Sequence, residues 1–102
     1  PAVRVVWSPR AIARASAIAA YIATDRPSTA ARWVDELFAT VAALRDHPRR
    51  GRRVPEVGRV DIREVLYGAY RIVYRVDPTR LLVLTVRHGR RAWDPGEIEA
   101  GE

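Results

Sequence analysis

The apolar residues of this chain change period near its middle, and that change limits the fold more than any other feature. In the first half, Ile12, Ala15, Ile18, Ala19 and Ile22 fall on one face of a helix. Ser8-Pro9 opens that helix: the serine hydroxyl can cap the free amides of the first turn, and proline occupies the first helical position, where no N–H is needed. Thr24-Asp25-Arg26-Pro27 stops it, and Ser28 is expected to cap the next. Trp33, Leu37, Val41 and Leu44, flanked by Val34 and Phe38, trace a second stripe that ends near His47-Pro48. The short connection implies an antiparallel helical hairpin. Ahead of it, Val3, Val5 and Trp7 alternate with Arg4 and Val6 as a short strand.

The stretch from Arg49 to Arg59 reads RRGRRVPEVGR, without usable periodicity, and is expected to be an exposed basic loop. Three β-rich runs follow, Asp61 to Tyr67, Tyr70 to Val76 and Leu81 to Arg87. Gly68-Ala69 and Asp77-Pro78-Thr79-Arg80 separate them, both short enough for hairpins, so the runs form an antiparallel meander. In the middle run Tyr70, Ile72, Tyr74 and Val76 share one face, and Arg71, Val73 and Arg75 the other. One sheet face should therefore pack on the helices, placing Tyr70 and Tyr74 in the core, while the other carries arginines. The expected architecture is α+β: an N-terminal strand and an antiparallel helical hairpin packed on an antiparallel sheet that ends in a three-strand meander. It spans residues 1–91, leaving 92–102 as a tail in which Trp93, a lone aromatic among polar residues, reads as a docking residue.

A chain of 102 residues with 48% hydrophobic content supports one domain and one core. It has neither an apolar run long enough to span a membrane nor a basic-then-apolar leader, so a soluble, cytoplasmic protein without membrane partners is expected. The absence of cysteine excludes disulfides and thiolate chemistry, and two widely separated histidines make a poor zinc site; no metal or cofactor is expected. Eighteen basic residues against 12 acidic ones give a formal charge of +6, which attracts polyanions or an acidic protein. All the basic residues are arginine. That suits planar recognition of phosphate and carboxylate, although GC-rich coding is the plainer account.

Topology of this kind is shared by many folds, but the residues within it are more specific. Tyr21-Ile22, then Pro27-Ser28-Thr29-Ala30-Ala31, then Pro48 and Gly51-Arg52, resemble the RelE/ParE toxin superfamily in order and spacing. So do Arg63-Glu64, the run from Tyr70 to Val76, and the closing Val86-Arg87-His88-Gly89-Arg90-Arg91. The resemblance covers Trp7 to Arg91 and implies the toxin half of a type II toxin–antitoxin pair. Such a toxin is neutralised by a cognate antitoxin, whose acidic, largely disordered segment folds onto it in a hetero-oligomer. A basic domain with arginines on one sheet face is what such a segment would need.

The superfamily divides between ribosome-dependent cleavage of messenger RNA and non-cleaving poisoning of DNA gyrase. Cleavage through the 2′-hydroxyl needs a proton acceptor, a proton donor and cations for the phosphorane charge, and arginine serves only the last role. The candidates are His88, Glu56 and Glu64 for proton transfer, with Arg71 and Arg87 as phosphate clamps. Some nucleases of the superfamily look similar, combining a loop glutamate, a strand arginine and a C-terminal histidine, positions matched here by Glu56, Arg71 and His88. Against cleavage stand the absence of lysine and of a tyrosine after His88. The loop and the HGRR ending resemble the gyrase-directed branch, which is preferred. For Glu64 the plainer role is pairing with a neighbouring arginine on the sheet. Arg49, Arg50, Arg52, Arg53, Arg75, Arg90, Arg91 and Trp93 are the candidates for contacting target or antitoxin. A third reading is a harmless nucleic-acid-binding module using the basic loop, which lacks the aromatics that would stack on bases.

Overall fold

The computed structural model describes residues 2–90 and Gly96. Strand β1 (Arg4–Trp7) leads into helices α1 (Pro9–Ala23) and α2 (Pro27–Ala42), and α2 ends in a 3₁₀ turn at Ala43–Arg45. Four further strands follow: β2 (Arg52–Arg53), β3 (Ile62–Tyr67), β4 (Tyr70–Val76) and β5 (Arg80–His88). Both helices begin with proline, but their caps differ. The Ser8 hydroxyl accepts from the Ala11 amide at 3.0 Å, as its sequence predicts. At α2 the cap is Arg26, without a side-chain hydrogen bond, and Ser28 lies inside the helix; Pro27, with φ already preset, starts the helix two residues earlier than expected. Among the described residues no helix is long and apolar enough to cross a membrane.

The α+β architecture agrees with the periodicities, and the sheet corrects them in two places. Its order is β1-β5-β4-β3-β2, and β1 pairs with β5 in parallel, Val5 opposite Leu81 and Trp7 opposite Val83, so the sheet is mixed rather than antiparallel. The helical hairpin carries the chain across one face, and the antiparallel strands then walk back until β5 lies beside β1. The second correction is β2, inside the supposed loop, where Arg52 pairs with Glu64 and Arg53 with Arg63.

The helix-facing core joins Ala11, Leu37, Val41 and Leu44 to Ile72, Tyr74, Val76, Leu81, Val83 and Val86. A second cluster, Val54, Ile62, Val73, Leu82 and Leu84, lies beneath the loop on the other face. Burial on both faces explains why Leu81 to Leu84 read as an unbroken apolar run instead of alternating. Val73 faces Thr85 while Tyr74 faces Val83, so Leu84 is an extra residue in β5. Its carbonyl accepts from the Ser8 hydroxyl at 3.0 Å, which ties the start of α1 to the sheet.

Gly51 is where the basic segment meets the core. Its amide donates to the buried Tyr74 hydroxyl at 2.9 Å, and a Cβ there would lie 2.5 Å from that oxygen and 2.6 Å from the Glu64 carbonyl oxygen. The backbone oxygen cannot move aside cheaply. Gly51→Ala is expected to cost about 1–3 kcal/mol by overpacking, read as a lower urea midpoint with an unchanged slope.

Candidate functional site

The register of β3, β4 and β5 places Arg71 opposite Leu66 on one side and Arg87 on the other. Residues directly opposite in antiparallel strands share a face, so Arg71 and Arg87 are neighbours on the face away from the helices. That face is not the open cationic surface expected from the sequence. Arg71 is 8% exposed, covered by the carboxylates of Glu56 and Glu64, and Arg87 is 1% exposed.

Arg71 is held from two sides. Its Nε donates to Glu64 Oε1, while Nη1 and Nη2 donate to the two oxygens of Glu56, each at 3.1 Å. Glu64 is buried, and its second oxygen accepts from Arg52 Nε at 2.7 Å and Nη2 at 2.6 Å, the cross-strand pairing its position predicts. Glu56 projects from the loop, where the amides of Val57 and Gly58 both donate to the Val54 carbonyl. The chain therefore builds a four-residue ladder, Arg52–Glu64–Arg71–Glu56, running from a buried carboxylate outward to an accessible one. Both carboxylates favour the charged form of Arg71 and raise its pKa.

Elsewhere the arginines divide into tied and untied sets. Arg75 donates to Asp77 at 3.0 and 3.2 Å, Arg80 reaches the same aspartate at 3.0 Å, and Arg59 pairs with Asp61. Arg63 Nη1 holds the basic segment by its carbonyls, 2.9 Å from that of Gly51 and 3.3 Å from that of Arg49. Arg49, Arg50 and Arg53 are exposed, with no ion pair among the described residues, and Arg90 is exposed beyond β5. Arg91 and Trp93 lie outside the described residues.

His88 stands apart from the ladder. As the residue after Arg87 it alternates to the helix side, where its ring meets Tyr70 edge-on at 5.5 Å and its Nδ1 accepts from the Arg90 amide at 3.1 Å. Tyr70 in turn packs edge-on against Trp33 at 5.4 Å, and the Tyr67 hydroxyl donates to the Trp33 carbonyl at 2.6 Å. Glu56, Arg71 and Arg87 are thus gathered on one face and His88 on the other. The spacing at 87 and 88 carried that signal, whereas the Glu56–Arg71 pairing had none, because loop and strand meet only in the fold.

Glu56 is held below the ordinary glutamate pKa of 4.5, chiefly by the Arg71 hydrogen bonds, and Asp61 and Asp77 are held below 3.8, chiefly by Arg59 and Arg75. A carboxylate depressed in the fold adds stability above its unfolded pKa and loses it as pH falls through the folded value. Unfolding midpoints should therefore be flat down to about pH 5 and decline below it. Glu56→Gln should remove part of that decline in a pH series of denaturant titrations.

A family model described as the ParE toxin of the type II toxin–antitoxin system parDE matches residues 5–93. Y4kP of Sinorhizobium fredii, whose name marks it as a toxin, is 37% identical over 93 residues, covering 88% of this chain and 92% of that one. Among solved structures, the chromosomal ParDE toxin–antitoxin system from P. aeruginosa superposes with a TM-score of 0.72 at 18% identity, over 84% of this chain and 95% of that one. The RelBE2 toxin–antitoxin complex of Mycobacterium tuberculosis gives 0.59 at 22% identity, over 86% and 99%. Both structures share the fold.

Proposed function

The chain belongs to the ParE toxin family of type II toxin–antitoxin systems, and from that premise we propose that it arrests growth by binding DNA gyrase, without cleaving RNA. A cognate acidic antitoxin neutralises it by folding onto its basic surface, in a hetero-oligomer. Family membership sets aside the reading as a harmless nucleic-acid module.

One observation carries the choice of target. Cleavage of a messenger would require an acid and a base about a single phosphate. Here the loop glutamate is engaged by Arg71 and held ionised with a lowered pKa, which weakens it as a base, and the histidine faces the opposite side of the sheet. A binding protein needs no such pair. Arg49, Arg50, Arg53 and Arg90 form the contact surface for target or antitoxin. The test is to add purified protein to gyrase supercoiling reactions and to translating ribosomes. Supercoiling should stop while messenger stays intact. Ribosome-dependent cleavage abolished by His88→Ala would overturn the reading and make His88 and Arg71 catalytic.

A further inference from the structure

We propose that Glu56 is an internal stand-in for a carboxylate of an acidic protein partner, seated on Arg71 until that partner displaces it. This rests on the reading that an acidic protein neutralises the chain. The receptor is built from the inside outward. Buried Glu64, pinned by two contacts from Arg52, fixes the Nε edge of Arg71 and so aims the remaining Nη1–Nη2 edge at the loop. A guanidinium edge with both nitrogens presented in parallel is the geometry that takes a carboxylate two-pronged. Glu56 fills it in that way, 3.1 Å to each nitrogen.

The two carboxylates on Arg71 are not equivalent. Glu64 has no exposed side-chain surface and three hydrogen bonds from two arginines. Glu56 has 38% of its side chain exposed and stands on a turn whose flanking residues Pro55 and Gly58 are exposed. Leaving Arg71, it passes directly into water and regains its hydration there. Arg71, 8% exposed and held at Nε by Glu64, cannot follow, so its Nη1–Nη2 edge then takes a replacement acceptor. Beside it Leu66, its cross-strand partner, is 69% exposed. An apolar side chain next to a carboxylate receptor fits an acidic peptide with apolar neighbours better than a phosphate backbone.

The test compares binding of a hexaglutamate peptide and of a short DNA duplex, at fixed ionic strength, to the full chain and three variants. Glu56→Gln removes the internal competitor and should bind hexaglutamate about tenfold more tightly. Asp61→Asn makes the same change in formal charge at a carboxylate of equal exposure, 38%, and should leave affinity near wild type. Arg71→Lys, which keeps the charge but loses the fork, should abolish the gain when combined with Glu56→Gln. If Glu56→Gln proves unstable, Glu56→Asp, one methylene too short to reach, should give part of the same gain. Equal tightening by Glu56→Gln and Asp61→Asn would mean a bulk charge effect and overturn the proposal. So would unchanged hexaglutamate binding, or a gain seen for the duplex alone, which would make phosphate the ligand. Inhibition of gyrase is scored separately on the wild-type chain, so failure here leaves the target reading intact, and the converse holds.

Discussion

Glu64→Ala is expected to lower the unfolding free energy by about 3–5 kcal/mol, the range typical of breaking a buried ion pair. For a domain of this size, whose total is about 5–15 kcal/mol, that is roughly a fifth of the stability or more. The size follows from what remains after the substitution. Arg52, whose side chain is 63% exposed, turns into solvent at little cost, but Arg71 stays buried after losing its inner carboxylate. Glu64→Gln sharpens the argument. One amide oxygen cannot accept from two guanidinium groups, and the amide NH₂ must face one of them, so glutamine should recover only a minor part of the loss. Denaturant titrations of both variants decide it. A loss below about 1 kcal/mol for alanine would mean that desolvation and attraction cancel in the ladder.

That ladder is also where reading the sequence reached its limit. The helices, the meander and the hairpin positions were legible because each is written in a local period: Trp33, Leu37, Val41 for a helix, Tyr70 to Val76 for a strand between two turns. Glu64 was legible as an arginine's partner because cross-strand neighbours carry opposite charges. Strand β2 was not, since two arginines show no period, and what fixes them is Gly51 lying against Tyr74 and Glu64. The parallel pairing of β1 with β5 was hidden for a related reason: its partners lie at opposite ends of the chain, and no local pattern records direction. Burial of Arg71 contradicts the simple rule that a charged residue alternating with apolar ones points to water. The rule fails because Glu56 and Glu64 come from separate segments and neutralise it only after folding. The resemblance to nucleases grouped Glu56, Arg71 and His88 by motif, whereas strand alternation alone puts Arg71 and His88 on opposite faces.

Reversing Arg49, Arg50 and Arg53 together to glutamate should slow association with the antitoxin by about 10- to 1,000-fold while barely changing stability. The three side chains are exposed and make no ion pair among the described residues, so the fold loses nothing with their charge. Arg53 even stands opposite Arg63 across the β2–β3 pair, and a glutamate there replaces a like-charge pair by an attractive one. The substitutions take the formal charge from +6 to neutrality, removing the long-range field that draws in an acidic chain. The effect belongs to encounter, and therefore to salt. Stopped-flow association at about 10 mM ionic strength, where screening extends over roughly 30 Å, should separate wild type from variant widely, and at 150 mM, with screening near 8 Å, the gap should narrow. Dissociation rates should change far less than association rates, because rim charges act on the encounter more than on the bound state. Equal association rates at low salt would show that these three arginines play no part in capture and would move the search for the contact surface to the ladder itself.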